Sequence, residues 1–207
     1  MEQKNYKIVK NILWPVKTPI TLDEDFIQMG KKKINWKDVK ACSAHIMSVN
    51  KATNYIVSMD GVNGEKLSLN IVHALTAKKS KKETFADIYY TTIAQLEKYH
   101  IHPRATEILK DMERGNEVTL AKAVFSQKGV EILKGMMKKE KVFIPMEDID
   151  VQFIDGSGGF NLCSKANPKN RQFIQMASPD SRYILAIMAN FVEQPDAPVA
   201  DAAPDTP

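Results

Sequence analysis

The spacing of apolar positions divides this chain into a few helices and many short strands. Phe85, Ile88, Tyr89, Thr92, Leu96 and Tyr99 recur at steps of three and four, which predicts an amphipathic helix over 83–99. A second helix is expected over roughly 103–114, with Pro103 in its first turn and Gly115 at its stop. Its apolar set is Ile108, Leu109 and Met112. Ser178-Pro179-Asp180 opens a third helix, over 179–192, buried through Tyr183 or Ile184, Ile187, Met188 and Phe191. These are core stripes and carry no chemistry.

Elsewhere the texture is strand and turn. Ile20, Leu22, Phe26 and Ile27 flank a turn at Asp23-Glu24-Asp25, and Gly30-Lys31-Lys32-Lys33 makes the next. Ile34, Trp36 and Val39 follow. Tyr55, Val57 and Met59 alternate before the turn 60–64, and Leu67, Leu69 and Ile71 alternate after it, which predicts a hairpin. Downstream, strands are expected around Val124–Ser126, Val130–Ile132, Val142–Ile144, Ile149–Phe153, Phe160–Leu162 and Phe173–Met176.

The two halves can be laid over one another. Ile34-Asn35-Trp36-Lys37-Asp38-Val39 matches Ile144-Pro145-Met146-Glu147-Asp148-Ile149 position by position, each after a turn containing Gly and Lys. Tandem duplication is expected, with Trp36 and Met146 in equivalent core positions. The stretches ITLDEDFIQM, KINWKDVKAC, YIVSMDGVNGEKLSLNI and ETFADIYYTTIAQL belong to the first half. VFSQKGVEIL, KVFIPMEDIDVQF, GGFNLCSK, RQFIQMASPDS and RYILAIMANF belong to the second. Both sets resemble the bacterial pleckstrin-homology-like superfamily, over most of residues 17–192. The resemblance implies an α+β protein of two tandem curled antiparallel barrels, each closed by a C-terminal helix. The expected boundaries are 1–99 and 117–192 for the domains, 100–116 for a helical linker and 193–207 for a tail. Ile108 and Met112 of the linker should rest on a domain surface. The family's character also implies a non-catalytic binding or scaffold role.

Composition narrows the classes. The 207 residues are 43% hydrophobic and 26% charged, enough for a real core. No apolar run approaches the roughly 18–20 residues of a membrane span. The start Met1-Glu2-Gln3-Lys4-Asn5 has no signal-peptide pattern, so a cytoplasmic location is expected. Cys42 and Cys163 are expected as two buried thiols. Charge is uneven: residues 1–103 carry +6, residues 104–192 carry +2, and the segment EQPDAPVADAAPDTP carries −4. That segment is too poor in apolar residues to offset its ordering entropy and is expected to be disordered.

Candidate chemistry is confined to anion contact. The resemblance makes Lys31, Lys32 and Lys33, with Lys138, Lys139 and Lys141 in the counterpart turn, a candidate anion or lipid site. Neither turn holds an Arg to fork onto a phosphate. Each Lys near an anionic leaflet contributes about 1 kcal/mol. Lys78-Lys79-Ser80-Lys81-Lys82 reads as a solvated loop, and the Arg and aromatic interleaving of base-stacking modules is missing, which argues against nucleic acid. His100 and His102 alone do not make a zinc site, and no metal or cofactor is implied. Asp155-Gly156-Ser157-Gly158-Gly159 lacks the Lys-Ser/Thr of a phosphate-binding loop and reads as a hairpin turn. It also looks a little like the D-x-S-x-x-G stretch of cyclic-dinucleotide-binding PilZ domains, without their paired arginines. No nucleophile–base signature appears, so no enzyme is expected. The leading expectation is a cytosolic interaction module for a protein partner. Weak binding to anionic lipid, or a cyclic-dinucleotide effector, are the alternatives.

Overall fold

Alternation of buried and exposed positions builds the sheets. The computed structural model describes residues 3–9, 17–49, 52–74, 76–134, 140–154 and 158–191. In the first half β1 (Lys4–Val9), β2 (Lys17–Leu22), β3 (Phe26–Met29) and β4 (Lys32–Asn35) pair antiparallel in that order. Ile20, Leu22, Ile27 and Ile34 form its buried face. A 3₁₀ turn (Trp36–Asp38) leads into a second sheet of β5 (Val39–Val49), β6 (Ala52–Gly61) and β7 (Lys66–Ala74). In β7 the inward Leu67, Leu69, Ile71 and His73 alternate strictly with exposed neighbours, so the expected hairpin stands.

The helix after β7 begins inside the lysine run: α1 (Lys79–Leu96) already includes Lys79, Lys81 and Lys82, so that run is not a loop. Phe85, Ile88, Tyr89, Thr92 and Leu96 are buried as their spacing predicts. The helix does not stop at 99. It passes through a π-helical turn (Glu97–Ile101) directly into α2 (His102–Glu113). Pro103 accounts for that turn. It has no N–H to offer the carbonyl four residues back, and its ring crowds that carbonyl. A wider turn just before it lets the helix continue, with the His102 N–H bonded to the Glu97 carbonyl. Gly115, at φ +86, ends the helix. The Asn116 N–H reaches the Asp111 carbonyl and the Gly115 N–H the Met112 carbonyl, a Schellman closure that needs a left-handed residue at Gly115.

In the second half β8 (Val118–Leu120), β9 (Ala123–Ser126), β10 (Gly129–Lys134) and β11 (Glu140–Pro145) form one sheet. After a 3₁₀ turn (Met146–Asp148), β12 (Ile149–Ile154), β13 (Gly159–Ser164) and β14 (Arg171–Gln175) form another, and α3 (Ser181–Met188) follows. Trp36 and Met146 each open their 3₁₀ turn and are buried, with carbonyls accepting from the Val39 and Ile149 N–H groups. Three strand features escaped the sequence reading: β1, β8 and the eleven-residue length of β5.

The expectation of an α+β pair of barrels, each closed by its own C-terminal helix, is overturned. Among the described residues the chain is mostly β, in four antiparallel sheets, none of which closes on itself. One long helix runs from Lys79 to Glu113 and, among the described residues, one short helix follows. The short helix lies mainly on α2 and meets β5 of the first half, rather than plugging one end of its own half. Apolar area is the reason. Ala105, Ile108 and Met112 make an apolar face on α2, and Tyr183, Ile184, Ile187 and Met188 make another on α3. Burying each against the other removes both from water. Ala105, Ile108 and Met112 are buried in a contiguous core that includes residues of both halves. None of the described helices is long and apolar enough to cross a membrane.

A polar seam accompanies this packing. The Arg182 guanidinium donates to the Ala44 carbonyl on β5 (3.3 Å) and the Tyr89 hydroxyl on α1 (3.5 Å), and lies 3.8 Å from the Glu97 carboxylate. His100 shares a hydrogen bond of 2.5 Å with the Tyr183 hydroxyl. Burial, aided by Arg104, holds the His100 imidazole below its ordinary value of 6.5; burial and Arg182 do the same to His45.

Two outcomes are expected. Trp36 is 1% exposed and donates from its indole to the Asp23 carbonyl. Trp36→Ala should cost about 3–5 kcal/mol in urea unfolding; a loss below about 1 kcal/mol would contradict a core role. Acid should also loosen the seam. A histidine pKa depressed by folding means the unfolded chain binds more protons, so its stabilisation is complete above about 6.5 and is lost as pH falls through the folded pKa. The melting temperature should drop between pH 7 and 5, and less so in the His45→Gln/His100→Gln variant. Equal drops in both proteins would count against this assignment.

Candidate functional site

The turn between β3 and β4 is tighter than the sequence suggests. It consists of Gly30 and Lys31, with Gly30 at φ +62, so Lys32 and Lys33 belong to β4. The strand pairs with β3 alone among the described residues, which leaves it at a sheet edge. Lys32 Nζ donates to the Lys66 carbonyl at the start of β7 (3.0 Å). Lys33 Nζ sits 3.8 Å from the Phe26 ring centroid, a cation–π contact. Between β4 and the start of β7 lies a cavity of about 390 Å³ lined by Lys31, Lys32, Lys33, Ile34, Glu65 and Lys66.

This cavity shares Lys33, Ile34 and Glu65 with a second one of about 280 Å³, which adds Asn35, Asp38 and Asn63. The carboxylates there are engaged locally. Asn35 Nδ2 donates to Asp38 (2.7 Å), and Asn63 donates to Glu65 through its backbone N–H (3.2 Å) and side chain (3.3 Å). The result is an open groove lined by four lysines and, alongside them, amide-bridged carboxylates. Lys66, Glu65 and the amides could not be tied to the lysine turn by sequence spacing, because the contact between β4 and β7 is long-range and joins two sheets.

The counterpart turn does not repeat this arrangement. Lys138 and Lys139 lie outside the described residues. Lys141 stands on β11 and pairs with Glu131 at 2.7 Å, a carboxylate that raises its pKa. Asp155, Gly156 and Ser157 also lie outside the described residues; the strands flanking them pair as an antiparallel hairpin from Ile154 opposite Gly159. Arg114 is engaged with Asp111 at 3.3 Å. Cys42 and Cys163 are buried and unpaired. Burial pushes the Cys42 thiol up to about 11, so it is not a thiolate nucleophile at neutral pH.

A second concavity, of about 310 Å³, has no forerunner in the sequence reading. It is lined by Leu133, Gln172, Phe173, Ser178 and the β8–β9 turn, Ala121-Lys122. That turn places two non-glycine residues in the left-handed region, at φ +48 and +69. Such hairpin turns favour Asn-Gly, so Ala-Lys is strained. Distant side chains hold it. The Ala121 N–H donates to Asp180 (2.8 Å), and Gln172 Nε2 donates to the Ala121 carbonyl (2.7 Å) while its Oε1 accepts from the Leu133 N–H (3.0 Å). Both ends of the Gln172 amide are thus consumed by structure.

No protein-family model, curated protein or solved structure matches the chain.

The strained turn yields a direct check. Lys122 is exposed at φ +69, so Lys122→Gly should relieve strain and stabilise the protein by about 0.5–1 kcal/mol in urea unfolding. A clear destabilisation would mean that the lysine side chain is itself needed there.

Proposed function

We propose that this chain is a non-catalytic interaction module that takes an acidic, extended segment of a partner protein in the lysine-lined groove beside β4. The observation that carries this reading is the convergence of Lys31, Lys32, Lys33 and Lys66 on one cavity next to an edge strand. Edge strands offer backbone N–H and C=O groups to an added strand, and the lysines select acidic side chains. The +6 charge of residues 1–103 would draw such a partner in. The unpaired thiols fit a reducing, cytoplasmic setting. The recurrence of a four-stranded sheet, a 3₁₀ turn, a three-stranded sheet and a helix supports descent of the halves from one duplicated unit.

A flat anionic membrane fits less well. The groove is concave, Glu65 and Asp38 line it, and Lys141 of the counterpart turn is already spent on Glu131. Exposed ion pairs contribute about 0.2–1 kcal/mol each, so three of them set roughly a three- to hundredfold effect on affinity.

The test uses a labelled deca-glutamate peptide and fluorescence anisotropy. Binding at low salt should weaken at least about tenfold in Lys31→Glu/Lys32→Glu/Lys33→Glu, and should fade in about 0.5 M salt. Sedimentation with phosphatidylserine vesicles forms the second arm. Vesicle binding without peptide binding would replace the protein partner with a membrane; neither would remove the groove as a site.

A further inference from the structure

The groove has a candidate occupant within the same chain. The segment after Phe191 carries Glu193, Asp196, Asp201 and Asp205 and no basic residue, whereas the groove gathers four lysines. Residues 192–207 lie outside the described residues, and their charge and length decide whether they can serve.

Reach can be bounded from the fold. Pro179, just before α3, lines a small cavity of about 70 Å³ with Ala41, Ser58 and Asp60. Asp60 stands opposite Lys66 in the β6–β7 register, and Lys66 lines the groove. From Pro179 to Phe191 the chain advances about 18 Å at helical rise. Crossing from the small cavity through Asp60 to Lys66 adds roughly 10–15 Å, given about 5 Å between paired strands. Phe191 therefore lies within about 35 Å of the groove along this path, and 16 residues of extended chain span about 50 Å. Within that bound Asp201 and Asp205, about 33 and 46 Å of extended chain beyond Phe191, reach the lysines, while Glu193 and Asp196 supply negative charge along the approach.

We infer that the acidic segment after Phe191 folds back into the Lys31–Lys33/Lys66 groove and competes with the partner's acidic segment, so that the chain regulates its own site. This rests on the groove reading above. A tether makes the competition intramolecular, at an effective concentration in the millimolar range, comparable to the weak affinity that a few exposed ion pairs supply. Occupancy is then partial, and the partner's apparent affinity is reduced by the fraction of grooves left open. Salt should remove the competition along with the attraction.

The experiment keeps the full chain and changes only charge: Glu193→Gln, Asp196→Asn, Asp201→Asn and Asp205→Asn together. The neutralised chain should bind labelled deca-glutamate about two- to fivefold more tightly at low ionic strength. The backbone amide resonances of residues 31–35 and 63–66 should move between the two proteins without any added peptide. Equal peptide affinity with unmoved amides overturns self-occupation and leaves the groove reading standing. If neither chain binds the peptide, the groove reading falls. Self-occupation is then decided by the amides alone: movement on neutralisation supports it, and no movement overturns it.

Discussion

Arg182 is the side chain on which the assembly of the two halves turns. It projects from α3, the last helix, yet its hydrogen bonds run to β5 and α1 of the first half, and its nearest carboxylate is Glu97 in the π-helical turn. The bond to the Ala44 carbonyl also answers a problem of sheet architecture. β5 is an edge strand, and an edge leaves backbone groups in search of partners. A guanidinium from the other half satisfies one of them. Its Nε is buried without a partner, so the site is not saturated. Holding a charge there is tolerable because three acceptors surround it.

Much of the local structure was legible because it is governed by short-range periodicity. The β6–β7 hairpin, the buried stripe of α1 and the alignment of Trp36 with Met146 follow from side chains two, three or four positions apart. What was not legible is long-range. The independent barrels fail because α3 finds the apolar face of α2 more available than the inside of its own sheets, and spacing does not encode that choice. Pro103 does sit in the first turn of α2, but no break precedes it. Read as the first turn of a new helix, it predicts a break; in the structure the widening at Glu97–Ile101 absorbs the missing N–H, and the helix continues. Short strands such as β8, three residues long, fall below what alternation can announce.

The candidate site divides in the same way. Lysines at 31, 32 and 33 are visible in the sequence, but only the fold adds Lys66 and the amide-bridged carboxylates opposite them. The second concavity was invisible because Ala-Lys is not a turn signature. Its conformation is imposed by Gln172 and Asp180, 51 and 59 residues away from Ala121.

The two halves share an element order and spend it differently. In the first, β4 pairs with β3 alone among the described residues, and the polar groups near it are cationic or amide-bridged. In the second, Gln172 fills the gap between β14 and β10, and Asp180 ties α3 to the β8–β9 hairpin. Those polar groups are satisfied by the protein itself, which suits a part that holds its neighbour in place. Because α3 also braces β5 through Arg182, whatever moves α3 is felt at the sheet whose β7 strand begins at Lys66. The half that carries the lysine-lined groove is thus steadied by the other half, and α3 is the element through which that support passes.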